Sequence, residues 1–245
     1  MDDEVKKVLV LWAVLPALGL AVGHLAPQAF LPIWQTISPI LFGFVVLVTL
    51  AAPFVQHARR QQALLEVSAL IDDRRYVEAL VRAERARRLW PRWKGMALLR
   101  GTAQTVLWRL EAARLSFLTP LALGLEPDDE REVMRLALVA AELAGTPDGE
   151  RARVARARPA AKTLEFPNFI RAARERDWRL VLELGKTLQV EACFAPLVDV
   201  LIAMAEEDTN PRPIDKIAFL GETGLEQVEK NWPDLADFVR RAPSA

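Results

Sequence analysis

The pattern of apolar and polar positions changes abruptly along this chain. From Val8 to Ala58 there is no Asp, Glu, Lys or Arg, and apolar residues run on without the polar interruptions that would mark a one-faced helix. Beyond that stretch a helical period takes over, with apolar side chains three and four residues apart and charged ones between them. A helix needs roughly 20 mainly apolar residues to cross a hydrocarbon core about 30 Å thick. The uncharged run has room for two such spans, at 8–24 and 37–55. Residues 26–36 between them carry Pro27, Pro32 and Trp34, which predict a short turn at a membrane surface, where an indole keeps its ring in lipid and its N–H in water. Ser38 ahead of Pro39 predicts the start of the second span, because a proline in a first helical turn misses no hydrogen bond. Gly19 and Gly23, four apart, would let the two helices approach closely. Residues 1–58 therefore read as a transmembrane hairpin.

After Arg60 the breaks fall at Pro91, Pro127, Pro159, Pro167, Pro211 and Pro233, and strand-like alternation is scarce, so the fold class expected is all-α. The clearest element is 74–90. Tyr76, Ala79, Leu80, Ala83, Ala86 and Trp90 share one face, while Arg74, Glu78, Arg82, Arg85 and Arg88 share another. Before it, 61–71 sets Leu64, Val67, Ser68 and Ile71 on a stripe, and Asp72 with Asp73 supplies capping residues for a tight turn. Two antiparallel helices follow from this pattern.

The run Tyr76, Ala79, Ala83, Ala86, Pro91 resembles the second helix of a tetratricopeptide repeat, with an aromatic, spaced alanines and a closing proline. In physical terms, small residues let paired helices approach, and the proline stops the second helix so that another unit can begin. A second unit is read from Glu111-Ala112-Ala113, aligned with Glu78-Ala79-Leu80, and from Ala122, Leu125 and Pro127, with about three residues inserted between. A third pair is read at 131–144 and 150–158 around Gly145–Gly149, and a fourth at 169–176 and 178–190. The resemblance implies an irregular helical solenoid over 59–190. The helices expected at 192–206, 214–220 and 225–241 would form a C-terminal cap over 191–245. The layout of two spans followed by helical repeats is similar to that of HemY-type inner-membrane proteins.

Charge adds an orientation. Lys6 and Lys7 precede the first span, Arg59 and Arg60 follow the second, and the turn between has no cation, which places both termini in the cytoplasm. Asp2, Asp3 and Glu4 argue against a cleavable leader, which would open with cations. The net charge of zero conceals blocks of alternating sign, with 13 Lys and Arg against 6 Asp and Glu over 59–114 and 2 against 8 over 125–150. Within the basic block, Arg75, Arg82, Arg85, Arg88 and Arg92 form the candidate binding residues, suited to anionic headgroups or to an acidic partner protein. Nucleic acid is not expected, because the stripe lacks interleaved exposed aromatics.

Catalytic chemistry lacks the residues it would need. Gly185-Lys186-Thr187 resembles the end of a phosphate loop, but Leu180 stands where the first glycine is required. No histidine follows His57, Cys193 is the only cysteine, and no metal-ligand spacing occurs. No enzyme activity, cofactor or metal is expected. An excess of Arg over Lys, 25 to 7, with abundant alanine, points to a bacterial inner membrane. The function expected is a membrane-anchored scaffold or accessory subunit that binds other proteins of a membrane assembly and is open to oligomerisation. The alternative is an oligomeric channel or transporter subunit gated by the helical domain.

Overall fold

The computed structural model describes residues 31–125, 127–157, 164–207 and 210–245. The first span, at 8–24, lies outside them. The described chain is helical, apart from one isolated parallel bridge between Ile214 and Ser244. Its contacts divide it between Gln62 and Ala63.

The long helix α1, Leu31–Asp72, carries both the expected second span and the expected first helix of the soluble part. The expected pattern is a turn at 26–36, a span starting near Ser38 and ending near Val55, and a separate helix from about Gln61. Instead Pro32 falls in the first turn of α1, where no donor is missed, and Pro39 and Pro53 lie inside it. From Phe54 to Asp72 neither glycine nor proline occurs, and Gln, Ala, Arg, Leu and Glu there are good helix formers, so nothing stops the helix. Ile40, Phe44, Leu47, Leu50 and Phe54 stand exposed along it. Among the described residues this is the one helix long and apolar enough to cross a membrane. Its hydroxyl Thr49 Oγ1 donates to Val45 O at 2.7 Å, which leaves no bare donor on an apolar surface.

From Ala63 onward the chain runs through α2 (Tyr76–Leu89), α3 (Lys94–Val106), α4 (Leu110–Ala122), α5 (Pro127–Ala144), α6 (Asp148–Ala157), α7 (Glu165–Arg174), α8 (Trp178–Gly185) and α9 (Ala195–Ala205). It finishes in three short helices, α10 (Lys216–Leu220), α11 (Leu225–Asn231) and α12 (Pro233–Arg241). Pro233 divides the expected single helix 225–241 in two, and Trp232 caps both halves. Pro120 and Pro167 lie inside α4 and α7 rather than between elements.

One turn recurs. The residue joining α1 to α2, α3 to α4, α5 to α6 and α7 to α8 has positive φ in every case: Arg74 at 62°, Trp108 at 54°, Gly145 at 74° and Arg176 at 59°. In each turn its N–H donates to the carbonyl three residues back, and the next N–H donates to the carbonyl five back. This is a Schellman closure. Only the third turn uses glycine, although a side chain in the left-handed region costs about 1–2 kcal/mol. Trp108 is held there by burial and by an edge-to-face contact with Phe219, the rings 6.1 Å apart. The aspartates expected to cap the first turn do not, since α2 starts after Arg75 with no side-chain cap. In the fourth turn Asp177 does cap, accepting from Leu180 N–H at 3.1 Å.

Burial follows these turns. Seven residues before the left-handed one come Val67, Gly101, Leu138 and Phe169, and nine after it come Ala83, Phe117, Val154 and Gly185. A large residue faces a small one across at least two of these hairpins. A Cβ on Gly101 would lie 2.5 Å from Phe117 Cε1, and one on Gly185 would lie 3.6 Å from Phe169 Cε2. In the second and fourth hairpins a glycine thus leaves the room that a phenylalanine ring takes up.

Candidate functional site

The helices run alternately up and down, so the hairpin stack has two ends. One carries the four left-handed turns. At the other lie the α2–α3 turn, Trp90–Trp93, and the α4–α5 turn, which Lys94 Nζ ties together by donating to Gly124 O. The chain enters this part of the molecule at the second end, where a Cβ on Gly95 would meet Leu64 Cδ1 at 2.9 Å.

The end with the left-handed turns is covered by the C-terminal helices. Glu222 accepts from the Val77 N–H at 2.5 Å, Thr223 Oγ1 donates to Val106 O at 3.3 Å, and Asn231 Nδ2 donates to Trp108 O at 3.4 Å. Arg174 donates to Leu143 O and, at 2.8 Å, to Asn231 O, and its guanidinium lies 4.3 Å from the centroid of the Trp232 ring. Burial pulls the Arg174 pKa down, while Glu142 and Asp234 push it back up. Arg176 pairs with Asp234 at 2.7 Å. The backbone bonds Ile214 N–H to Pro243 O and Ala245 N–H to Ile214 O fasten the last residues to the start of this segment. The segment read as a terminal cap therefore reaches back to the first hairpin.

The five candidate arginines do not form one patch. Arg75 stands at the covered end, paired with Glu78 at 2.6 Å, and that carboxylate raises its pKa. Arg82 is midway along α2, and Arg85, Arg88 and Arg92 lead to the open end, all four exposed. Fourteen residues of α2 separate Arg75 from Trp90, about 21 Å at 1.5 Å per residue. Arg87, outside the expected stripe, pairs with Glu84 at 3.0 Å. Burial raises the pKa of Glu84, but Arg87 and Arg100 outweigh it and hold the carboxyl below its usual range.

Several buried polar groups elsewhere are paired with one another. Ser116 Oγ donates to Gln104 Oε1 at 2.5 Å and accepts from Arg100 Nε at 3.0 Å, which joins α3 to α4. Glu142 takes two hydrogen bonds from Arg151, at 2.8 and 3.0 Å, and Glu150 takes one from Arg114 at 2.8 Å. Both carboxylates are thus held in ion pairs with arginines of neighbouring helices. No group of His, Cys, Asp and Glu suited to a metal ion occurs among the described residues.

Thr105, Trp108, Cys193, Phe194 and Phe219 help to line a cavity of about 20 Å³, room for a water molecule but not for a metabolite. Burial, with Glu191 adding to it, pushes the Cys193 thiol up to about 12. The thiolate is the reactive form, so Cys193 in the native protein should react with a thiol reagent at mildly alkaline pH about a hundredfold or more slowly than in urea. Comparable rates in the two states, read by absorbance of the released chromophore, would contradict this burial.

No family model, curated protein or solved structure matches the chain. Function must therefore be argued from the geometry alone.

Proposed function

We propose that the chain is a membrane-anchored scaffold or accessory subunit that holds partner proteins against its cytoplasmic helical part. The observation that carries this reading is the fourfold recurrence of one turn with one burial pattern, at separations of 34, 37 and 31 residues. Such a recurrence supports the reading of stacked helical units, since repeat proteins of that kind present extended surfaces that bind other proteins. The uncharged, exposed length of α1 supports anchoring, and its lack of any Asp, Glu, Lys or Arg before Arg59 disfavours conduction or proton transfer through it. The partner surface on this reading is the outer side of α2 and α4, where Val81 and Leu115 are 57% and 54% exposed.

Recovery from membranes in mild detergent, with partners identified by mass spectrometry, should return a defined set of proteins, and Val81→Lys with Leu115→Lys should deplete it. Recovery of the chain alone, or a set unchanged by both substitutions, would overturn the scaffold reading. For topology, a cysteine replacing Gln28 should label with an impermeant reagent in intact cells and one replacing Gln61 should not. The reverse pattern would invert the orientation. The slow native Cys193 adds little background.

A further inference from the structure

The two ends of the hairpin stack differ in what covers them. The protein's own C-terminal helices cover the left-handed turns, whereas the opposite end presents a distinctive surface at the α2–α3 turn. There Leu89 is 66% exposed, and Trp90 and Trp93, both half-buried, meet edge to face with ring centroids 5.7 Å apart. Arg88, just before them in the chain, and Arg92, between them, stand exposed. Leu123, 38% exposed, lies in the adjoining α4–α5 turn, bound to the first through Lys94 and Gly124. This surface combines a bare leucine, a pair of indoles and two exposed arginines. It is the composition that suits a headgroup boundary, where rings sit at the apolar edge and guanidinium groups reach phosphate.

The position in the chain selects the occupant. Leu64, packed at Gly95, fixes this end as the one where the chain arrives from the uncharged run. Seven residues lie between Val55 and Ala63, a reach of at most about 28 Å even fully extended. The surface cannot lie far from the bilayer if the run spans it. Charge sets the limit of the footprint: Asp129 and Glu130 open α5 beyond the second turn, so the cationic area ends with the first hairpin.

We propose that the α2–α3 turn docks on the anionic surface of the membrane that anchors the chain, with Leu89 and the Trp90–Trp93 pair at the headgroup boundary and Arg88 and Arg92 on lipid phosphate. This rests on the anchoring reading and assigns it a specific contact. Docking would hold the outer faces of α2 and α4 at a set height above the bilayer, so that partners meet them in one orientation.

The test uses the full chain in liposomes, either of phosphatidylcholine alone or of phosphatidylcholine mixed with phosphatidylglycerol. An environment-sensitive fluorophore is attached at Leu89→Cys, or at Glu226→Cys on α11 as a control, and lipid-borne spin labels act as quencher. Flotation after a high-salt wash comes first, because a chain that fails to float contradicts the anchoring reading itself. For a chain that floats, the Leu89 probe should shift to the blue and be quenched several-fold more than the Glu226 probe in anionic liposomes. Arg88→Gln with Arg92→Gln, or several hundred millimolar salt, should remove most of that difference, because screening then shortens to a few ångströms. Equal quenching at the two sites would overturn the docking. Equal quenching in neutral and anionic liposomes would overturn its anionic basis. A Leu89 probe that changes only when a solubilised membrane-protein fraction is added would assign the surface to a protein instead.

Discussion

Replacing Phe117 by alanine is expected to cost about 3–5 kcal/mol of stability, and replacing Gly101 by valine about 1–3 kcal/mol, yet the two together should cost less than their sum. Phe117 is completely buried, and its ring fills the space beside Gly101 so closely that even a Cβ there would lie 2.5–2.7 Å from three ring atoms. Removing the ring leaves a cavity, and adding a side chain at Gly101 forces the ring out of place. In combination the new side chain occupies part of the vacated volume, as Val67 with Ala83 does in the first hairpin at the same distances from the left-handed turn. A coupling of about 1 kcal/mol or more in the compensating direction is therefore expected from a double-mutant cycle. Denaturant unfolding of the full chain in detergent, followed by helical ellipticity, measures it. Strict additivity would show that the two positions do not share one space.

This size exchange also explains which parts of the fold were legible in the sequence. Tyr76, Ala79, Ala83 and Ala86 disclosed the first hairpin because alanine at each close contact matches a simple pattern, and all four are buried as the spacing required. In the second, the doublet Ala112-Ala113 leaves the register open by one residue. Only the contacts decide it: Ala113 is buried and Ala112 exposed, so Ala113 takes the place of Ala79 at a separation of 34, and the apparent insertion between the units shrinks to two residues. In the third hairpin the buried positions three before and five after the left-handed turn are Glu142 and Glu150. Spacing alone gives no sign of their burial, because a charge can stand in a core only when other residues neutralise it, and Arg151 and Arg114 do so here. The run of α1 through 55–61 was hidden for a different reason. A change from apolar to charged composition marks a change of solvent, not a break in hydrogen bonding, and no residue in that stretch interrupts a helix.

The candidate site was less legible still. Five arginines at helical spacing suggested one stripe, but a stripe on a helix has length as well as a face, and Arg75 lies at the opposite end of α2 from Arg92. The tryptophans and Leu89, which give the open end its character, carry no pattern of their own. Their significance comes from which end of the stack the chain enters and which end its C-terminus covers. Both are long-range facts that local spacing does not encode.

The covering of the end that carries the left-handed turns leads to the other large effect. Trp232→Ala is expected to cost about 3–5 kcal/mol, as for other buried aromatic truncations, and its consequence should reach the first hairpin, far from it in sequence. Trp232 is 4% exposed and belongs to the same core as Phe117, Phe169 and Leu235. Its ring lies under the Arg174 guanidinium, which also donates to Asn231 O beside it, and Asn231 Nδ2 in turn donates to the left-handed residue Trp108. Without the ring, Arg174 keeps its burial but loses an electron-rich face that partly replaces water, so the polar contacts around it weaken together. The C-terminal helices should then loosen as a unit, and with them the contact of Glu222 with the Val77 N–H. Hydrogen exchange of the full chain in detergent should accordingly show faster exchange at Val77 and Trp108 as well as in 214–245 for Trp232→Ala, with Ala113 in the hairpin interior accelerated least. A change confined to the immediate neighbours of residue 232 would mean that the C-terminal helices are an independent appendage, and that the hairpin turns hold their left-handed conformations without them.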